Sequence, residues 1–395
     1  MFIMKIFFAV LIVICIIFYI MYLWDFALIL LITVIAVPVV MFVTTLIAKK
    51  SINVDFSVQS DTVMKNEAFP IHIKITNSSI IPIGKAEAFI EYCNFFDNEV
   101  NTFNLLLPIQ ARNTQNISFQ LNSSFCGIVS IKCACINIYD PLKIFRFRVG
   151  NNVHKEITIM PEGHEIGGQI CSVDRENDES EIFSEYKAGD DPSEIFDLRD
   201  YHAGDKLNRI HWKLSSKKGE FIVKDYSLPV DTPCTLFINM QVNSKYRLPV
   251  YDTLIESLVS VSQFMLENER IHSVVYYNSG AGNFIERTII NTDSLMELIQ
   301  ELILSSGSIN ECQPPKNYFV EKDNLALSSF VFITSDAEQQ ILEYIDNDVD
   351  ADIKNAVVVV TSPTEADRIA RDYMNMTVIP VVIGRITSSI KDIEL

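Results

Sequence analysis

Apolar residues run unbroken from Ile6 to Leu23 and, apart from Thr33, Thr44 and Thr45, again from Phe26 to Ala48. Each run matches the roughly 20 residues a helix needs to cross a hydrocarbon core of about 30 Å, which predicts a transmembrane hairpin within residues 1–50. Asp25, beside Trp24, is the only charge between the runs. It predicts a turn at headgroup level, because an Asp at mid-membrane costs roughly 2.5–3.5 kcal/mol. Pro38 is tolerable inside a spanning helix. A cleaved leader would show a small-residue cleavage site after the first run, whereas a second full-length run follows.

From Ser51 to Pro161 the pattern changes to short alternating stretches, such as Ile71–Thr76, Ile117–Leu121 and Val129–Cys133. Period-two alternation punctuated by Asn, Ser, Gly and Pro predicts half-buried antiparallel strands, about seven of them, in an immunoglobulin-like β-sandwich over 51–161. Residues 162–194 carry few apolar positions and, from Asp174 onward, many carboxylates, which predicts a solvated acidic connector. Beyond it, apolar strands at Cys234–Met240, Ser273–Tyr277, Phe330–Thr334, Ala356–Val360 and Val378–Ile383 alternate with amphipathic helices at Tyr251–Glu269, Ser294–Leu304, Ala337–Ile345 and Glu365–Met374. This order predicts a mostly parallel, doubly wound α/β domain within 195–395.

Charge decides the compartment. Lys5 precedes the first run and Lys49–Lys50 follows the second, so the positive-inside bias predicts a multi-pass protein of the cell membrane with its soluble domains on the cytoplasmic side. The eight cysteines are scattered without a C-x-x-C pair, as expected of small buried hydrophobes in a reducing compartment. Cys133 and Cys135, two apart on a strand, are expected to share one face. Cytoplasmic placement makes the Asn-x-Ser/Thr sequons at Asn77, Asn116, Asn122 and Asn375 chance occurrences. A formal net charge of −18 argues against nucleic acid, which needs a basic footprint.

Against that acidity, the segment from Phe196 to Tyr226 is basic. Asp205 is a good helix N-cap, Leu207, Ile210, His211 and Leu214 fall at helical spacing, and Gly219 is a natural stop. The expected helix would stack Lys206, Arg209, Lys213 and Lys217 along one face, a candidate docking surface for an acidic partner or a phosphate group. His211 beside Trp212, near Asp197, Asp200 and Asp205, admits a hydrolase reading. No Gly-x-Ser-x-Gly elbow, P-loop or His-Glu-x-x-His helix supports one.

Arg199, Tyr201, Gly204, Asp205, Arg209, Ile210, His211, Trp212, Lys213, Ser215, Val223, Lys224 and Asp225 together resemble the hallmark of bacterial membrane proteins of the domain of unknown function 58 group. Arg209 stands directly beside Ile210 instead of one residue apart. Tyr139-Asp-Pro-Leu-Lys-Ile-Phe145 resembles the motif closing that group's β-domain, with Lys143 where glycine is usual. The resemblance spans the chain and implies a C-terminal domain like that of von Willebrand factor type A. The complete form of that domain binds a divalent cation through Asp-x-Ser-x-Ser. The corresponding positions here are Asn239, Gln241 and Asn243, with Ser335 in a later ligand loop. Neutral donors in those places weaken any site for a hard cation, so neither metal nor cofactor is expected. The resemblance also implies partners: a MoxR-type AAA+ ATPase and a transglutaminase-like membrane protein, besides the lipid bilayer. It thus favours a membrane-anchored, non-catalytic scaffold in complex assembly or envelope maintenance over a hydrolase or a metal-dependent binding head.

Overall fold

The computed structural model describes residues 2–22, 24–58, 60–97, 99–150, 153–170, 183–189, 195–200, 210–218, 220–229, 234–242, 245–305, 313–322, 327–369 and 373–395; at 183–197, 199, 212, 216 and 225–229 it describes at most the backbone. The chain divides into Met1–Met160 and Pro161–Leu395.

The first unit opens with α1 (Phe2–Tyr22) and α2 (Asp25–Lys50), both long and apolar enough to cross a membrane. At 1.5 Å per residue they measure about 32 and 39 Å. Their outward surfaces are apolar and exposed, including Val13, Ile17, Ile29 and Ile32. The hydroxyls of Thr33, Thr44 and Thr45 donate to helix carbonyls of Ile29 and Met41, so these three hydroxyls are satisfied within the helix. Helix α2 starts where the Trp24 carbonyl accepts from Ala27 N and Leu28 N, one residue from the predicted start. It ends at Lys50, and Ser51 alone separates it from the first strand.

That strand, β1 (Ile52–Val58), pairs with β3 (Phe69–Asn77), which pairs with β6 (Asn113–Leu121). The facing sheet runs β2 (Thr62–Met64), β9 (Val153–Met160), β7 (Gly127–Tyr139), β4 (Ile83–Asn94), β5 (Asn101–Ile109), with β8 (Arg146–Val149) also on β7. Alternation along β3 sends Ile71, Ile73 and Ile75 into the core, where they meet Ala88, Ile90, Ile131 and Ile157 of the other sheet. A β-sandwich results. Each such isoleucine contributes roughly 1.5–3 kcal/mol through burial. Ala48 of α2 belongs to the same core, so the helix is packed into the sandwich and does not merely precede it.

One expectation is corrected in this unit. Cys133 pairs opposite Ile90 and Cys135 opposite Phe89, so Ala134 is an extra residue, a β-bulge. The bulge reverses the phase of β7: Val129, Ile131 and Cys133 face the core before it, Ile136 and Ile138 after it. Cys133 and Cys135 therefore do not share a face, and burial pushes the Cys133 thiol up to about 11. The sequon at Asn77 is closed to modification. Its side chain is 1% exposed, donates to Ile81 O and Gln110 O, and accepts from Ser79.

In the second unit the main sheet has the order β16-β15-β14-β17-β18-β19. Its strands are β14 (Cys234–Ile238), β15 (His272–Asn278), β16 (Asn283–Ile289), β17 (Leu327–Thr334), β18 (Ala351–Val360) and β19 (Thr377–Val382). All pair in parallel except β16, an antiparallel edge that the sequence pattern did not reveal. Helix α4 (Arg247–Glu267) lies against β17, β18 and α5 (Thr292–Ser305), and α5 also touches β16. Phe237, Val275, Phe330, Phe332 and Val358 form a core with Tyr318 and Phe319 of α6 (Pro315–Glu321) and Leu342 and Ile345 of α7 (Gln339–Asp348). Further along, α8 (Pro363–Ile369) stops short of the expected Met374, which is 95% exposed.

The acidic connector over 162–194 is also corrected. Residues 161–170 are packed against their own unit: Glu162 N and His164 N donate to the Glu256 carboxylate and Ser260 Oγ of α4. There β10 (Gly168–Gln169) pairs in parallel with β20 (Ile393–Glu394). Within the acidic tract, β11 (Phe183–Gly189) is a strand of a small sheet, β11-β13-β12, with β12 (Ile195–Asp200) and β13 (Ile222–Pro229). Residues 171–182 and 190–194 of that tract lie outside the described residues.

Candidate functional site

In a doubly wound sheet, ligands bind outside the carboxyl ends of the strands, where the strand order reverses. Here that point lies between β14 and β17, because the chain runs from β14 outward to β15 and β16 and then returns to β17. A crevice of about 650 Å³ opens there, lined by Asn239 and Gln241 from the end of β14, Asp336 from the end of β17, and residues of α6 and α7. Asp336, Glu338, Glu343 and Asp348 make the lining acidic, with Lys316 the opposing cation. Lys316 Nζ lies 5.9 Å from the centre of the Tyr344 ring. Burial raises the Tyr344 hydroxyl above its ordinary range.

The positions expected to be degenerate metal ligands meet at this crevice and bond to one another. Asn239 Oδ1 accepts from Gln241 N at 2.9 Å, and Asn239 Nδ2 donates to Thr334 Oγ1 at 3.3 Å. Thr334 Oγ1 also accepts from Asp336 N at 3.0 Å, and Ser335 Oγ donates to Gln241 O at 2.8 Å. An aspartate at 239 could not donate to Thr334, so the asparagine fits as a clasp between strand ends. Asn243 lies outside the described residues.

The basic segment is built differently from its expectation. Ile210 makes an antiparallel bridge with Val223, and His211 N donates to Ile222 O at 2.8 Å. Both residues are thus extended, and helix α3 covers only Trp212–Lys218. His211 caps it. Its carbonyl accepts from Leu214 N and Ser215 N, and its ring Nδ1 accepts from Leu214 N at 3.2 Å. Pairing with β13 therefore overrides the local helical spacing at Ile210 and His211, and the helix that carries Lys213 and Lys217 begins only at Trp212. Lys213 and Lys217, one turn apart on α3, are exposed, and Lys224 on β13 is half-buried. Tyr201, Gly204, Asp205, Lys206 and Arg209 lie outside the described residues, as do the side chains of Asp197, Arg199 and Trp212. Asp200 is exposed.

Sequence reasoning missed the role of Ser215. It is buried, and its Oγ accepts Ile222 N at 2.9 Å, tying α3 to β13. Ser215→Ala should leave that amide without a partner and cost roughly 1–3 kcal/mol of local stability. Hydrogen exchange at Ile222 should accelerate accordingly, and an unchanged rate would remove the proposed tie.

A second pairing imitates catalysis. Ser262 Oγ lies 2.6 Å from His272 Nε2, and His272 Nδ1 lies 3.2 Å from Arg270 O. Because a carbonyl only accepts, Nδ1 carries the proton and Ser262 donates to Nε2. Both side chains are sealed inside the unit, at 0% and 2% exposure, so no substrate reaches them. Burial lowers the imidazole to about 4, which leaves it a neutral structural acceptor.

No family model matches the chain, and no curated protein matches it. Among solved structures, 28% of the chain is similar to 87% of the CARDB domain of the PF1109 protein from Pyrococcus furiosus, at 12% identity and a TM-score of 0.21. The same share is similar to 98% of a cohesin module from a Clostridium perfringens family 33 glycoside hydrolase, at 15% identity and a TM-score of 0.23. It is also similar to 75% of the C-terminal domain of wzt, at 7% identity and a TM-score of 0.23. At these scores nothing of those proteins' ligands transfers to this chain.

Proposed function

We propose that this protein is a membrane-anchored, non-catalytic scaffold whose α/β head is of the von Willebrand factor A-like kind. Its soluble domains are on the cytoplasmic side, and it works with a MoxR-type AAA+ ATPase in complex assembly or envelope maintenance. The observation that carries the reading is the crevice at the strand-order reversal of a sheet with one antiparallel edge strand. There, the side chains of Asn239 and Ser335 are spent on Thr334 and on the Gln241 backbone. An acidic crevice that shows no nucleophile–base pair among the described residues suits recognition of a partner better than bond cleavage. The hydrolase alternative loses support from the engaged His211 Nδ1, and among the described residues no hydroxyl or carboxylate hydrogen-bonds to that ring.

The docking surface is the basic segment around α3, where Lys213 and Lys217 stand exposed. Lys206 and Arg209 precede them in sequence. Affinity purification of the full chain from its native membranes should recover the ATPase. Reversing all four charges to glutamate should reduce that recovery at least about tenfold, since like charges facing each other cost several kcal/mol at an interface. Equal recovery, with protection of the Ile222 amide intact, would discard the basic segment as the docking surface. A transglutaminase-like membrane protein in the same eluate would extend the assembly.

A further inference from the structure

We propose that the β7–β8 turn and β8 form a membrane-interface element that binds anionic phospholipid headgroups; this rests on α1 and α2 being a membrane anchor. Counting outward from the turn, Lys5 lies as many residues before Leu23 as Phe42 lies after Trp24, so the two share a level in an antiparallel hairpin. Lys49 lies seven residues further along α2, roughly 10 Å at 1.5 Å per residue. A headgroup layer is about 5–8 Å thick on each side of the hydrocarbon core. Lys5 on one side and Lys49–Lys50 on the other therefore bracket that layer.

The sandwich reaches the same level. The rings of Phe145 and Phe147 pack on Phe42, with centroids 5.1 and 5.3 Å away and interplanar angles of 74° and 55°. Alternation then turns Arg146 and Arg148 to the opposite side of β8, where both are exposed, and Lys143 is exposed in the preceding turn. The two phenylalanine rings thus seat β8 on the helix at that level, and the exposed cations beside them stand where headgroup phosphates would lie.

The charges are available. Glu87, on β4 across β7 from β8, is held by Lys85 Nζ at 2.9 Å and by the Tyr139 hydroxyl at 2.6 Å, and Arg146 is engaged by Tyr139 and drawn to Glu87. Asp140 is buried and turned to backbone amides. Among the described residues neither Lys143 nor Arg148 has an ion-pair partner, although the whole chain carries a net charge of −18. A protein so acidic is repelled by an anionic bilayer, so cations gathered where the sandwich meets the headgroups offset that repulsion locally.

The test reconstitutes the full chain in nanodiscs of phosphatidylcholine alone and in nanodiscs with one third phosphatidylglycerol. Hydrogen exchange over residues 142–149 should slow roughly threefold to tenfold in the anionic discs, and about 0.5 M salt should abolish the difference. Lys143→Gln with Arg148→Gln should remove most of the dependence while β3 keeps its protection. Equal exchange of the wild-type chain in both discs overturns the proposal, as does a dependence untouched by the double variant. Should that variant fail to fold, which β3 would report, the salt response of the wild-type chain decides alone. Failure to enter discs of either composition overturns the anchor itself and the proposal with it.

Discussion

Replacing Asp140 by alanine is expected to cost about 3–5 kcal/mol and to open the sandwich first at β7 and β8. The Asp140 carboxylate is 1% exposed and accepts Phe145 N at 2.6 Å and Leu142 N at 3.1 Å, while the Asp140 backbone accepts Lys143 N at 2.9 Å. Hydrogen bonds to a charged group contribute roughly 1.5–3 kcal/mol each, and two part-buried amides would lose their partner together. The same bonds hold Lys143 at a φ of +54°, the left-handed region where glycine carries no penalty. Lys143 thus occupies a glycine position at some conformational cost, and the aspartate keeps the turn closed over it. Hydrogen exchange of β7 and β8 peptides, followed through a urea series in detergent micelles, measures the loss. A change below about 1 kcal/mol would show that the turn closes without the carboxylate.

Acid should weaken the α/β unit through His272, with a sign opposite to that of a paired histidine. Burial holds its folded-state value at about 4, below the unfolded value near 6.5, so the unfolded chain binds the extra proton first. The stabilisation is complete above pH 6.5 and is lost as pH falls from there toward 4, reaching roughly 3 kcal/mol. His272→Gln has no such proton to take up. Its unfolding free energy should therefore fall by roughly 2–3 kcal/mol less than the wild type's between pH 7.5 and 4.5. Parallel pH profiles for the two proteins would assign the acid sensitivity elsewhere.

What could be read from sequence follows from how local its cause is. The hairpin needed only two unbroken apolar runs, and β3 needed only the alternation of Phe69, Ile71, Ile73 and Ile75. The five parallel strands and most of the helices between them were likewise legible, since each carries its own apolar face. The misses come from pairing at a distance. Ile210 and His211 sit at helical spacing with Leu214, but a bridge to Val223 and a bond to Ile222 O outweigh it. Edge strand β16 escaped notice because its Glu286 and Arg287 face partners on other elements, Lys322 at 2.9 Å and Glu301 at 3.0 Å. Strand β11 has too few apolar residues to signal itself, and the bulge at Ala134 depends on the register of β4, which no reading of β7 alone contains. At the crevice, the neutral positions Asn239, Gln241 and Ser335 were legible, but their mutual bonding was not, because it depends on how closely two strand ends approach.

The single residue between α2 and β1 makes the first unit a lever. With Ala48 in the sandwich core and Phe42 clamped by Phe145 and Phe147, little compliance remains at the joint. Strand β7 alone is 13 residues long, about 43 Å at 3.3 Å per residue. A change of about 10° in helix tilt, of the kind by which a span adjusts to bilayer thickness, would swing a point about 40 Å away through about 7 Å. With the hairpin as the proposed anchor, a change in membrane thickness would thereby become displacement at the far rim of the sandwich.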